Sequence, residues 1–308
     1  MLYNGGMEIR ETKAQLDVLQ LIYEQEYIRT PHLALLLPHR DYSGMTRTLK
    51  ALETRKLIVR FRNNMYSTYI FHITEAGKKT LFKHRGPNHY VRTYRPIEDY
   101  RIEFQHKVGI AETIANLRAG AIEYGCRLIS QGELEEGMGR EDESAPLSIK
   151  ATATWAGHPS SPWNGFVQPD GVFAIEYPDG TRSNIFLEYQ RCGKVKVNTL
   201  LGISSMRRKY LSYQDIYHSG AAKELGFKSF RVLFVFTQEA DYRRSLKLGS
   251  EMYPDGNPLC LHIFQPEFRE TKTGMLITPE LNPDLFVTPM SRAGLSDIPL
   301  YDPKKDPS

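Results

Sequence analysis

No apolar stretch in the 308-residue sequence approaches the ~18 residues that a membrane-spanning helix requires. Even Val232-Leu233-Phe234-Val235-Phe236 is only strand-sized. Cysteine is scarce: Cys126, Cys192 and Cys260 are odd in number and far apart. They form neither a zinc spacing nor a disulfide framework, which fits a reducing compartment. The opening residues, Met1-Leu2-Tyr3-Asn4-Gly5-Gly6, hold no basic or apolar leader segment, so no secretion signal is expected. The sequence also lacks a P-loop, a G-x-S-x-G elbow and a G-x-G-x-x-G loop. A His-x-His pair is missing too, which argues against a relaxase of the histidine-hydrophobe-histidine type. These absences predict a cytoplasmic protein without a membrane segment.

What is present points to a folded chain. With 41% apolar and 25% charged residues it can bury a core, and its length suits about two domains. The overall charge of +4 hides a strong local asymmetry. Residues 39–95 carry 13 basic and three acidic side chains, a net +10, leaving −6 for the rest. A local excess on that scale is the electrostatic footprint expected of a segment that meets phosphate backbones.

Within the first 85 residues the pattern predicts three helices and a hairpin. Leu16, Leu19, Ile22 and Tyr23 share one helical face, and Thr30-Pro31 opens a second helix that Pro38 ends. In a third helix Met45, Leu49 and Leu52 point inward, while Thr46, Arg47, Lys50 and Thr54 project from other faces. Two β runs, residues 57–61 and 69–73, flank a polar turn at Arg62-Asn63-Asn64, and a further helix starts at Thr74. This succession resembles a winged helix-turn-helix over residues 10–85. The resemblance implies DNA binding through Thr46, Arg47, Lys50, Arg60, Arg62 and Lys78, with Arg47 and Lys50 in the major groove and Arg60, Arg62 and Lys78 on phosphates.

Residues 86–99 read as a polar, proline-punctuated linker, and a second domain is expected over residues 100–285. It opens on an amphipathic helix, 102–124, followed by a strand at 126–130, an acidic loop at 133–143 and a long loop at 157–165. Strands at 166–175 and 184–191 flank the turn signal Pro178-Asp179-Gly180. A helix over residues 198–217, with a tyrosine stripe read as core, leads to a buried strand at 230–237. Nine of the 18 prolines fall in residues 254–308, so residues 286–308 are expected to form an extended tail.

The order α-β-β-β-α-β carries a chemical pattern. Strand alternation places Glu188 and Gln190 on one face, and Asp170 can meet Glu188 across the hairpin. Two carboxylates at one spot repel unless a cation neutralises them, and oxygen-only ligation suits Mg²⁺ or Mn²⁺. Pro169-Asp170, the hairpin and Glu188-x-Gln190 together resemble the PD-(D/E)xK nuclease superfamily. That resemblance implies a restriction-endonuclease-like αβββαβ fold, mixed α+β or α/β in class. It makes Asp170, Glu188 and Gln190 catalytic, with Asp170 and Glu188 holding the metal. The superfamily's lysine is replaced by Gln190, so a positive charge has to come from Lys194, Lys196 or Lys209, of which Lys209 is best placed.

Taken together, the two halves resemble the replication-relaxation family over about residues 10–240. The passages that carry it are Phe104-Gln105-His106-Lys107-Val108, Gln168-Pro169-Asp170, Phe186-Leu187-Glu188-Tyr189-Gln190-Arg191 and Lys209-Tyr210-Leu211-Ser212-Tyr213. The family includes MobC-type mobilisation relaxases, and His106 matches its histidine. The resemblance implies a DNA-binding protein of a plasmid or other mobile element that nicks DNA with a divalent metal. The alternative is a non-catalytic DNA-binding regulator, whose second domain is a degenerate scaffold for homodimer formation or partner binding.

Overall fold

The computed structural model describes residues 11–37, 41–61, 69–85, 102–138, 147–154, 162–191, 205–267, 269–270, 276–277 and 281–304. The chain forms two compact units, residues 1–89 and 90–308, in a mixed α and β architecture. No described helix is long and apolar enough to cross a membrane.

The first unit runs α1 (Lys13–Gln25), β1 (Ile28–Arg29), α2 (Thr30–Leu36), α3 (Tyr42–Thr54), β2 (Ile58–Phe61), β3 (Ile70–Ile73) and α4 (Glu75–Arg85). Thr12 caps α1 in a reciprocal box with Gln15, and Asp41 caps α3 by accepting the Gly44 N–H at 2.9 Å. The expected hairpin gains a third member, since the two-residue β1 pairs with β3 in the order β1-β3-β2. Val18, Leu19 and Ile22 of α1 join Met45, Leu49 and Leu52 of α3 in the core, beside Ile58, Ile70 and Ile73. The turn carrying Arg62 and the stretch expected as a linker lie outside the described residues.

The second unit contains α5 (Ile102–Glu123), β4 (Arg127–Ile129), α6 (Gln131–Gly137), β5 (Ile149–Ala153), β6 (Trp163–Val167), β7 (Gly171–Glu176) and β8 (Arg182–Gln190). Then come α7 (Met206–Ser219), α8 (Ala221–Glu224), β9 (Arg231–Phe236), α9 (Glu239–Met252), β10 (Cys260–Phe264), β11 (Arg269–Glu270), β12 (Leu276–Ile277), β13 (Met290–Arg292) and β14 (Leu295–Ile298). Seven strands make one sheet in the order β14-β13-β10-β9-β8-β7-β4. Pairing is antiparallel at both ends and parallel across β8-β9-β10, where α7 and α9 supply the crossovers that parallel neighbours require. Val232, Phe234 and Phe236 of β9 pack with α7, while Leu233 and Val235 pack on the opposite face with Leu117 and Ala121 of α5. That double burial explains why β9 reads as an unbroken apolar run.

Three expectations are corrected. The start of the acidic loop is α6, because Ser130 and Glu133 form a reciprocal capping box. The end of the long loop is β6, which pairs with β5 in a separate two-stranded ribbon. The tail expected from residue 286 onward supplies β13 and β14, the edge of the main sheet. There Met290 (0% exposed), Leu300 (5%) and Tyr301 (3%) pack on the α5 face, so apolar burial outweighs the prolines around them.

Candidate functional site

β7 and β8 pair through Gly171↔Leu187, and Asp170 sits at the bend just before β7. There its carboxylate stands in for a backbone acceptor: Oδ2 accepts the Tyr189 N–H of β8 at 2.7 Å. Its other oxygen, Oδ1, lies 3.1 Å from His106 Nε2 near the start of α5. Close approach of α5 to β8 depends on Gly109, because a Cβ there would collide with the Tyr189 ring. The His106 and Tyr189 rings meet edge to face, with centroids 5.6 Å apart.

Glu188 points to the α7 face and is 3% exposed. Its Oε1 accepts the Tyr213 hydroxyl at 2.5 Å, and its Oε2 forms an ion pair with Lys209 Nζ. Gln190 Nε2 reaches the same Oε2 at 3.4 Å. The structure therefore gathers Asp170, Glu188, Gln190 and Lys209 at one end of β8. Lys209 and Tyr213 reach Glu188 together because positions four apart on α7 share a face. Beside them, Arg191 grips both oxygens of Glu267 through Nε, at 2.9 and 2.8 Å, and also donates to Gln105. The residue just past β8 is thereby tied to α5 and to the segment that follows β10.

The electrostatics follow from burial and proximity. Burial pushes the Asp170 carboxyl up, but the His106 hydrogen bond and the Lys209 charge prevail, and it rests below the ordinary carboxylate value. Glu188 is raised: burial dominates, Lys209 opposes it, and the Asp170 charge adds to the rise. Burial disfavours the Lys209 ammonium, yet Glu188 and Asp170 hold it above the usual lysine value. Tyr213 is raised well above a free phenol by burial and by the Glu188 charge, in keeping with a hydroxyl that donates its proton to Glu188. Lys194 and Lys196 lie outside the described residues.

Asp170 and Glu188 are the residues that could hold a cation. Their donors are oxygens only, and the repulsion that helps raise Glu188 is what a hard divalent ion would relieve. Among the described residues no group of three or more His, Cys, Asp and Glu side chains could hold a metal. An ion here would have two carboxylates and water, and would share Glu188 with Lys209.

In the first unit, Thr46, Arg47 and Lys50 are exposed on the outer face of α3. Tyr42, 67% exposed one turn before Thr46, belongs to that face, and sequence patterning had passed over it. Arg60 lies 3.0 Å from Glu53 and stacks over Tyr69, 4.5 Å from its ring centroid. Lys78 is a correction. It is only 3% exposed and pairs with Glu75 at 2.6 Å, so it is not presented to phosphates.

The model of a family described as replication-relaxation matches residues 19–228, more than half of the chain. Neither the curated proteins nor the solved structures contain a match.

Proposed function

The chain belongs to the replication-relaxation family, and from that premise we propose a sequence-directed DNA-binding protein that serves the replication or mobilisation of a plasmid or other mobile element. In this reading the first unit is a winged helix and the second a PD-(D/E)xK-like nicking endonuclease. With α6, the β5–β6 ribbon and α8 as insertions, the succession α5, β4, β7, β8, α7 and β9 supports the second assignment, and the exposed face of α3 beside the β2–β3 hairpin supports the first. The observation that carries the reading is the convergence of Asp170, Glu188, Gln190 and Lys209 at the end of β8.

Asp170 and Glu188 would hold Mg²⁺ or Mn²⁺. Such an ion would supply an activated water and charge neutralisation at the scissile phosphate. The chain's own groups prepare that place. His106 and the Tyr189 N–H fix the Asp170 carboxylate, while Tyr213 and Lys209 fix Glu188. Gln190 contributes an amide that holds or orients water. With its ammonium on Glu188, Lys209 acts first as the cluster's counter-charge, in place of the superfamily's lysine charge that the sequence looked to it to supply.

One observation favours the regulator as the second reading. Every oxygen of Asp170 and Glu188 already has a protein partner, so the cluster is satisfied without an ion. Incubation with supercoiled DNA carrying the gene's own neighbourhood, with and without Mn²⁺, separates the two. Conversion to open circles that Asp170→Ala abolishes is the expected result. Intact supercoils across several candidate origins, with DNA binding preserved, would leave the regulator.

A further inference from the structure

Lys209 is committed to Glu188 and is not presented to a phosphate. Without an ion, and with both acids ionised, Asp170, Glu188 and Lys209 sum to one net negative charge, so a phosphodiester beside them calls for a further cation. The next cation along α7 is Arg208, whose guanidinium carbon lies 4.7 Å above the centroid of the Trp163 ring. Burial draws the guanidinium below its ordinary value while the Glu188 carboxylate pulls the other way, so the two groups sense one another. The aromatic face restrains the guanidinium, a planar fork of N–H donors of the kind that matches a phosphate.

Trp163 is itself held. It belongs to β6, in the ribbon that packs on α7, where the Thr152 N–H of β5 donates to Asp215 of α7 at 2.8 Å. The ring lies over Gly165, two residues along the same strand face. A Cβ at that position would come within 2.5 Å of the ring's Cζ2. Glycine at 165 thus lets the indole lie down on the ribbon and offer a face to Arg208.

Resting on the DNA-binding reading above, we propose that Arg208 meets a backbone phosphate of the bound strand beside the Asp170–Glu188 cluster, with Trp163 as its positioning residue. The arrangement gives the site a second cation on α7, positioned by an aromatic face. It also makes Trp163 a built-in reporter, because Trp155 is the only other tryptophan in the sequence.

The test uses the full chain, in a Trp155→Phe background, titrated with a short DNA duplex over a range of salt. Trp163 emission should change on binding. Arg208→Gln should lower the log–log salt slope by about one. Trp163→Leu should weaken binding roughly threefold to tenfold, whereas Trp163→Phe should keep most of it. Thermal melting of each variant checks its fold, and the emission change needs no substitution at the site. An unchanged slope in Arg208→Gln, with Trp163 emission indifferent to DNA, would overturn the proposal. If binding is then still lost in Arg47→Ala/Lys50→Ala, the DNA-binding reading survives; no binding by the unsubstituted chain would overturn both.

Discussion

Two buried titratable side chains show how the second unit treats charge differently over a short distance. Glu188 keeps a charged partner, so losing Lys209 alone would leave a buried carboxylate uncompensated, at a cost of about 3–5 kcal/mol. His262 on β10 is fully buried and kept neutral. Its Nδ1 donates to the Ser291 carbonyl at 3.1 Å, which leaves Nε2 to accept the Tyr210 hydroxyl at 2.6 Å. Burial lowers its pKa from 6.5 to about 4. Between those values the unfolded chain takes up the proton first, so stability falls as pH falls. A shift of this size corresponds to roughly 3 kcal/mol. Glu188, with its pKa raised from 4.5, works in the opposite direction above that value. Asp170, with its depressed pKa, adds its own loss only below about 3.8. Urea unfolding at a series of pH values should therefore show a decline from pH 6.5 toward 4 that His262→Gln flattens. The same slope in wild type and variant would show that His262 does not carry it.

Among the elements, those built on simple periodicity were legible in the sequence and those built on distant partners were not. The inward face of α3, the turn before β8 and the apolar β9 follow from residue spacing alone. The expectation that Asp170 can meet Glu188 rested on the hairpin, whose register pairs Gly171 with Leu187 and so brings Asp170 to the same end of β8. α6 was legible but overlooked, since Ser130 and Glu133 spell its capping box. The sequence reading assigned nothing to β5, α9 or β10. β13 and β14 read as tail because their partner, β10, lies far back in the chain and short strands leave almost no periodic signal. Tyr213 read as core filler, and it is buried, but its hydroxyl also serves Glu188. The β13–β14 hairpin yields a direct prediction. Met290→Ala should cost about 2–5 kcal/mol in urea unfolding. A chain ending at residue 289 should be insoluble or lack a cooperative melt, since it uncovers the edge of β10 and removes Leu300 and Tyr301. A shortened chain that melts like the full one would show that these strands are ornamental.

At the scale of the whole molecule, charge is divided between the two units. Residues 1–89 carry 14 basic and eight acidic side chains, a net +6, and residues 90–308 carry −2. The first unit is thus the expected electrostatic anchor, and most of the salt dependence of DNA binding should reside there. The double variant Arg47→Ala/Lys50→Ala should weaken duplex binding and lower the log–log salt slope by up to about two, without changing the melting of the second unit's core. Undiminished affinity would remove α3 from the interface.

The position of β13 and β14 also sets a timetable for synthesis. Residues 1–89 hold a core of their own and can fold as soon as they leave the ribosome. The main sheet has to wait for Met290, Leu300 and Tyr301, more than 200 residues later. At ordinary elongation speeds that interval is about 10–40 s. During it a nascent chain would present a finished first unit ahead of an assembled Asp170–Glu188 cluster. On the proposed reading, a message cut short soon after residue 89 would yield a product able to occupy DNA and unable to act on it. Such a fragment would compete with the complete protein, and the order of the two units along the chain is what makes that competition possible.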